Sequence, residues 1–252
     1  MTDNGRPSGL AAPEGAPAAP VTPAPRPAHA PRRMPAELPR AVVFDMDGLM
    51  FDTERLERDL WREAAQRHGF DIPGALNARL VGRRAVDAER ILWAHYGADL
   101  PLERIKADVL VQWEKVAAGS GMPRKPGLED LLARLERARI PKAVATSTAR
   151  AKARVALGAL GDRFQALACG DEVADGKPAP DIYLLATRRL GMAPEACLAL
   201  EDSPPGVAAA RNARMPVIMI PDLVEPPVPP EYICASLMQV AEWLETLLDT
   251  RR

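Results

Sequence analysis

Short apolar runs and longer stretches with helical spacing alternate along most of the chain. The runs fall at Ala41–Phe44, Ala143–Ala145, Ala166–Cys169, Cys197–Leu200 and Val217–Ile220. Between the later ones the apolar residues recur at helical spacing: Leu128, Leu131, Leu132 and Leu135, then Val155, Ala159 and Leu160, then Ile182, Leu185 and Leu190. An unbroken apolar strand is covered on both faces, and an amphipathic stretch between two such strands serves as the crossover helix. The pattern therefore predicts βαβ units and an α/β fold, with a parallel sheet flanked by helices.

One region breaks the alternation. The first and second runs are separated by roughly seventy to ninety residues, far more than a crossover needs. Leu56, Leu60, Trp61, Ala64 and Ala65, then Leu92, Trp93 and Tyr96, then Val109, Leu110 and Trp113 all follow a helical period there. The expectation is an inserted helical domain over 55–122, with the α/β domain at 39–54 and 123–252. In open parallel sheets ligands bind beyond the carboxyl ends of the strands. An insert leaving from the end of the first strand would cover that site as a lid.

Residues 1–38 are rich in Ala and Pro with no hydrophobic period. Such a segment buries too little apolar surface to offset its ordering entropy, so it is expected to be a disordered tail. Met34, just before the first strand, is an alternative translation start. The formal net charge of −1 argues against binding nucleic acid by phosphate neutralisation. No stretch has the length of a membrane span, and no secretory signal is evident at the first residues. Cys169, Cys197 and Cys234 are odd in number and set among apolar neighbours, which suits core thiols in a reducing, cytoplasmic setting.

The chemistry is concentrated at strand ends. "AVVFDMDG" closes the first strand on Asp45 and Asp47, with Gly48 to allow the turn. Alone, this pair is either a polar exit from the strand or two carboxylates held together for chemistry. "LALEDSPPG" brings Glu201 and Asp202 to a later strand end, where Asp202 or Ser203 would also cap the next helix. "AVATST" brings Thr146, Ser147 and Thr148, either as a helix cap or as an anion site at a helix N-terminus. "GKPAPDIY" holds Lys177 between Gly176 and Pro178. Two acidic strand ends in one crevice form an oxygen-rich site of the kind that Mg²⁺ takes. Together these groups suit phosphoryl transfer, with Asp45 as nucleophile, Asp47 as acid and base, and Lys177 and the cation offsetting phosphate charge.

The ordered set "DMDG" with the following "DT", Thr146, Lys177 in "GKPAPDIY", and "EDSPPG" resembles the haloacid dehalogenase superfamily over about residues 40–225. The resemblance implies a Rossmann-like core, an all-helical cap domain inserted after the first strand, and Mg²⁺. It implies that Thr146 binds phosphate, with Ser147 beside it. It assigns the metal to Asp45, Asp202 and the main-chain oxygen of Asp47, with Glu201 nearby or acting through water. It also makes Asp52-Thr53 the hinge to the cap. The cap stretch "LVGRRAVDAERIL" resembles the pseudouridine-5'-phosphatase-like branch, which makes Arg83 and Arg84 candidate substrate contacts; as solvated charges they would be equally ordinary. The β-phosphoglucomutase-like branch carries a cap histidine and a cap-loop arginine where this chain has Glu57 and Ala85, so the mutase is the rival reading. The expectation is a Mg²⁺-dependent phosphatase of a small sugar phosphate or nucleoside monophosphate, with a catalytically silent binding protein as a further alternative. The sequence does not set the oligomeric state.

Overall fold

The strand Ala41–Phe44 (β1) has hydrogen-bonded neighbours on both sides, so it lies in the middle of the sheet. In the computed structural model, which describes residues 34–80, 85–222 and 231–250, β1 is followed by four helices: Thr53–Arg67 (α1), Gly74–Leu80 (α2), Ala85–Tyr96 (α3) and Leu102–Ala118 (α4). Then come Leu128–Arg137 (α5), Lys142–Thr146 (β2), Arg150–Leu157 (α6), Ala166–Cys169 (β3), Asp181–Leu190 (α7) and Cys197–Glu201 (β4). Pro204–Asn212 (α8), Val217–Met219 (β5), Tyr232–Ile233 (β6) and Leu237–Asp249 (α9) complete the order. The sheet runs β3-β2-β1-β4-β5-β6, with every pair parallel.

Strand parity divides the core into two layers. Val42, Phe44, Val144, Leu198, Leu200 and Ile218 face α5, α6 and α9. Ala41, Val43, Ala143, Ala145, Ala199 and Met219 face α7 and α8. The second face is dominated by alanine on both sheet and helices, which lets α7 and α8 lie close to the strands. Helix α5 shows why the spacing was legible: Leu128, Leu131, Leu132 and Leu135 are all buried and form one stripe.

Helices α1 to α4 form a smaller core of their own around Ala64, Ala65, Ile72, Leu76, Leu92, Leu100, Leu102 and Ile105. α1 packs along α4 and α4 touches α6. Leu60 and Trp113 join the main core instead, so the insert sits against the sheet layer. Both crossings of the chain between the two are held side by side. Asp52 N–H donates to Pro123 O at 2.8 Å and Lys125 N–H to Met50 O at 2.9 Å.

Several expected positions differ. Val155 is 47% exposed and Ala159 is exposed too, while Ala153, Ala156, Leu157 and Leu160 point inward. The inward set keeps i, i+3, i+4, i+7 spacing, but two of its members are small alanines that Val155 outweighs in a hydropathy reading. Trp93 (43% exposed) and Leu110 (52%) lie on outer faces of α3 and α4. Ala149, not Thr146, Ser147 or Thr148, stands at the N-cap of α6, and no side chain caps it. Ser203, not Asp202, caps α8, accepting from Gly206 N–H. β6, only two residues long, has no expected counterpart.

Truncating Leu132 to alanine is expected to cost about 2–5 kcal/mol of stability, because its side chain is fully buried in the core stripe of α5. Val155→Ala should cost less than about 0.5 kcal/mol. Denaturant unfolding of the two variants checks the assignment, and equal losses would contradict it.

Candidate active site

β1 pairing with β4 continues one residue past the strand, where Asp45 N–H donates to Leu200 O at 3.0 Å. That bond aims the Asp45 side chain into the crevice, where it is buried. The chain then turns at once. Gly48 adopts φ +82°, and its N–H donates to Phe51 O at 2.9 Å. A Cβ at Gly48 would stand 2.1 Å from Asp202 Oδ2, so glycine is required both for the turn and for the close approach of Asp202.

Lys177 reaches the same point from the loop between β3 and α7. Its Nζ donates to Asp45 Oδ1 at 2.5 Å, to Glu201 Oε1 at 2.6 Å and to Ala145 O at 3.3 Å. Glu201, fully buried at the end of β4, has both oxygens engaged. Oε1 accepts from Lys177 and from Tyr183 Oη (2.6 Å); Oε2 accepts from Asp202 N–H (3.1 Å), Ser203 N–H (3.4 Å) and Ser203 Oγ (3.1 Å). Gly206 makes room for it, since a Cβ there would fall 1.9 Å from Glu201 Oε1.

Burial sets the electrostatics. It pushes the Asp45 carboxyl up to about 8 against the pull of Lys177, with Glu201 and Asp47 adding to the rise. Burial, then Asp45 and Glu201, also lift Asp202 well above the carboxylate range. For Lys177 burial opposes the charge, but Asp45 and Glu201 outweigh it and raise its pKa, so the ammonium persists. Burial beside Glu201 keeps the Tyr183 phenol protonated, hence a donor.

Asp45, Glu201 and Asp202 each offer an oxygen within 4.8 Å of the others. Three clustered carboxylates, two of them paired with one ammonium, and a glycine where a Cβ would displace the third, Asp202, make a donor set that fits a hard divalent cation. Because Glu201 is already saturated, Asp45 and Asp202 are the carboxylates left to face such an ion. A second group of this kind, Cys169, Asp171 and Glu172, differs in that Glu172 is paired with Arg150 and Arg189 at 2.6 and 2.9 Å.

Thr146 ends β2, and its hydroxyl donates to Asp47 Oδ2 at 3.3 Å. Thr148 donates to the same oxygen at 2.7 Å. Ser147 is exposed beside them, and its carbonyl lies where a Cβ on Gly170 would collide. Asp45, Asp47, Thr146, Lys177, Glu201 and Asp202 are thus brought together. Arg83 and Arg84 lie outside the described residues.

Tyr183, Thr148 as a partner of Asp47, and an ionic clasp at the crossings to the helical insert are not singled out by the sequence. In the clasp Arg55 Nη1 lies 2.6 Å from Asp52 Oδ1 and 3.0 Å from Asp222 Oδ1. Lys125 Nζ lies 2.7 Å from the same Asp222 oxygen. Asp222 follows β5, so the end of one strand grips both crossings to the helical insert. Only a buried tyrosine in the first turn of α7 and a basic residue at each crossing hinted at these contacts.

A six-stranded parallel sheet with acidic side chains at the ends of β1 and β4, and helices inserted after β1, is a Rossmann-like α/β protein with its site at the strand ends. The sequence model for haloacid dehalogenase-like hydrolases matches residues 39–214, and the chain belongs to that family. Among relatives, the probable pseudouridine-5'-phosphatase of Drosophila melanogaster is 34% identical over 71% of this chain and 80% of its own length. The phosphorylated carbohydrates phosphatase of Thermotoga maritima is 35% identical over 69% of this chain and 81% of its own. A mutant CbbY from Rhodobacter sphaeroides, crystallised with xylulose-(1,5)bisphosphate, superposes with a TM-score of 0.66 at 29% identity, covering 80% of this chain and 96% of that one.

Tyr183→Phe removes one donor from a fully buried carboxylate. It is expected to lower stability by about 1–3 kcal/mol in denaturant unfolding; a loss below about 0.5 kcal/mol would mean that the phenol is not needed by Glu201.

Proposed function

We propose that the protein is a Mg²⁺-dependent phosphatase of small phosphate monoesters that works through an aspartyl-phosphate on Asp45. The observation that carries this reading is the bridge Asp45–Lys177–Glu201, which holds one buried carboxylate beside a persistent ammonium at a strand end. The relatives named for phosphatase activity on phosphorylated carbohydrates and on pseudouridine 5'-phosphate support a sugar phosphate or nucleoside monophosphate as substrate.

Asp45 would attack phosphorus through a carboxylate oxygen, forming one P–O bond as the ester P–O bond breaks. Asp47 would give its proton to the departing alcohol, then take one from the water that attacks the phosphoaspartate and releases inorganic phosphate. Lys177 would offset the charge gathering on the phosphoryl oxygens, and Thr146 would donate its hydroxyl to one of them. Asp45, Asp202 and the main-chain oxygen of Asp47 would hold the cation, with Glu201 behind them fixing Lys177. Mg²⁺ supplies positive charge that keeps the Asp45 carboxylate ionised and balances the transferring phosphoryl group. The insert of four helices between β1 and α5 would act as the cap that excludes bulk water. Asp52, paired with Arg55 and Lys125, would serve the hinge rather than the chemistry.

The mutase reading asks for an acid–base group on the cap at the position of Glu57. Here Glu57 is paired with Lys152 of α6 at 2.8 Å on the exposed rim, and that ammonium also lies 4.9 Å from the Trp113 ring. This pairing favours the hydrolase.

Phosphate release from ribose 5-phosphate, glycerol 3-phosphate, uridine 5'-monophosphate and p-nitrophenyl phosphate tests the proposal. Turnover should require Mg²⁺, stop with EDTA, and fall about a thousandfold or more in Asp45→Asn. Interconversion of sugar phosphates without net release would favour the mutase, and an unaffected Asp45→Asn would remove the mechanism. Gly48→Ala should weaken Mg²⁺ binding, read by titration calorimetry, by about tenfold or more, because its Cβ displaces Asp202. Unchanged affinity would take Asp202 out of the metal site.

A further inference from the structure

Two threonine hydroxyls converge on one oxygen of Asp47, and they are not equivalent. Thr148 Oγ1 stands 2.7 Å from Asp47 Oδ2, the ordinary length of an O–H···O bond. Thr146 Oγ1 is 3.3 Å from it, beyond the usual range. Thr146 Oγ1 also accepts from Thr148 N–H at 3.0 Å, which leaves its single proton to go to one acceptor at a time. In the reading above, that proton is needed by the phosphoryl group. Asp47 then depends on the other hydroxyl.

The backbone holds Thr148 for this purpose. Its N–H is fixed on Thr146 Oγ1, and its carbonyl accepts from Gly170 N–H at 3.1 Å. The next turn is tied down as well, with Arg150 N–H on Asp171 Oδ1 at 3.0 Å. A Cβ at Gly170 would stand 2.1 Å from Ser147 O, so the loop after β2 lies directly on the end of β3. Asp47 itself sits in a turn just after β1, where it makes only an isolated bridge with Phe51, outside the paired strands of the sheet, and Gly48 at φ +82° follows. An acid–base carboxylate on such a turn needs an outside partner to stay aimed.

We propose that Thr148 is a positioning residue that keeps the Asp47 carboxylate aimed at the leaving-group oxygen while Thr146 serves the phosphoryl group. The proposal rests on Asp47 being the acid and base, and the test separates the two. A general acid matters most when the departing group is a poor anion. An alkyl alkoxide needs the proton, whereas p-nitrophenolate leaves as a stable anion. Losing the aim of Asp47 therefore slows alkyl phosphates selectively. A residue that merely bound phosphate, or merely supported the fold, would slow both substrates alike.

Single-turnover rates of leaving-group release, alcohol or p-nitrophenol, report the first step and not the common hydrolysis of the phosphoaspartate. They are compared with Mg²⁺ for wild type, Thr148→Val, Thr148→Ser and Asp47→Asn on p-nitrophenyl phosphate and on whichever alkyl monoester of the panel wild type turns over fastest. Thr148→Val should lose about 10- to 100-fold on the alkyl ester and less than about threefold on the aryl ester. Thr148→Ser keeps the hydroxyl and should restore the alkyl rate to within about threefold of wild type. Equal losses on the two esters, an unchanged alkyl rate in Thr148→Val, or no recovery in Thr148→Ser would each overturn the proposal. If Asp47→Asn shows no preference between the esters, the acid role of Asp47 itself fails, which is a distinct result.

Discussion

A lysine ammonium buried between two carboxylates is the interaction on which this molecule depends most. Lys177, Asp45 and Glu201 come from three separate segments, and none could be buried charged without the other two. Removing the lysine would leave two carboxylates facing each other in the interior. Removing Glu201 would leave Lys177 to Asp45 and the Ala145 carbonyl, and on the proposed mechanism Asp45 would then be less free to move toward phosphorus. Glu201 is therefore best understood as the fixed half of the bridge. Tyr183, two main-chain N–H groups and Ser203 spend their hydrogen bonds on it so that Lys177 and Asp45 can be the working half.

The remainder of the architecture brings those segments to one place. β1 lies between β2 and β4, so the ends of three adjacent strands deliver Asp45, Thr146 and Glu201 within a few ångströms. Alanine on the α7–α8 face of the sheet lets α7 approach closely, which carries Tyr183 under Glu201 and the Lys177 loop over Asp45. Asp222 at the end of β5 then ties both crossings to the helical insert through Arg55 and Lys125. The crossings to the helical insert and the end of β5 are thus joined by ion pairs beside the apolar contacts of Phe51 and Met122.

Much of this could be read from the residues in order, and the reasons for the exceptions are physical. β1, β3 and β4 are covered on both faces, so they appear as unbroken apolar runs that cannot be mistaken for half-exposed strands. β6 has two residues and no pattern to show. On α6 the inward stripe is carried by Ala153 and Ala156, which a hydropathy reading passes over in favour of the exposed Val155. The carboxylates were legible because acidic side chains directly after an apolar strand call for an explanation. Thr148, Tyr183 and the Asp222 clasp were not, since each acts through a contact across the fold that no local spacing encodes. Glycines fall between these cases. Gly48 was legible as a turn, but its second reason, the Asp202 carboxylate beside it, needed three dimensions.

The bridge makes sense as preparation for covalent chemistry at Asp45, and that claim can be tested on the protein itself. Wild-type enzyme turning over a phosphate monoester with Mg²⁺ is quenched in acid at successive times through the first turnover, digested, and its peptides weighed. One phosphoryl group is expected on the peptide that carries Asp45, appearing and then decaying as inorganic phosphate is released. Phosphate release with no phosphorylated peptide at any quench time, or with the phosphoryl group on another residue, would contradict it.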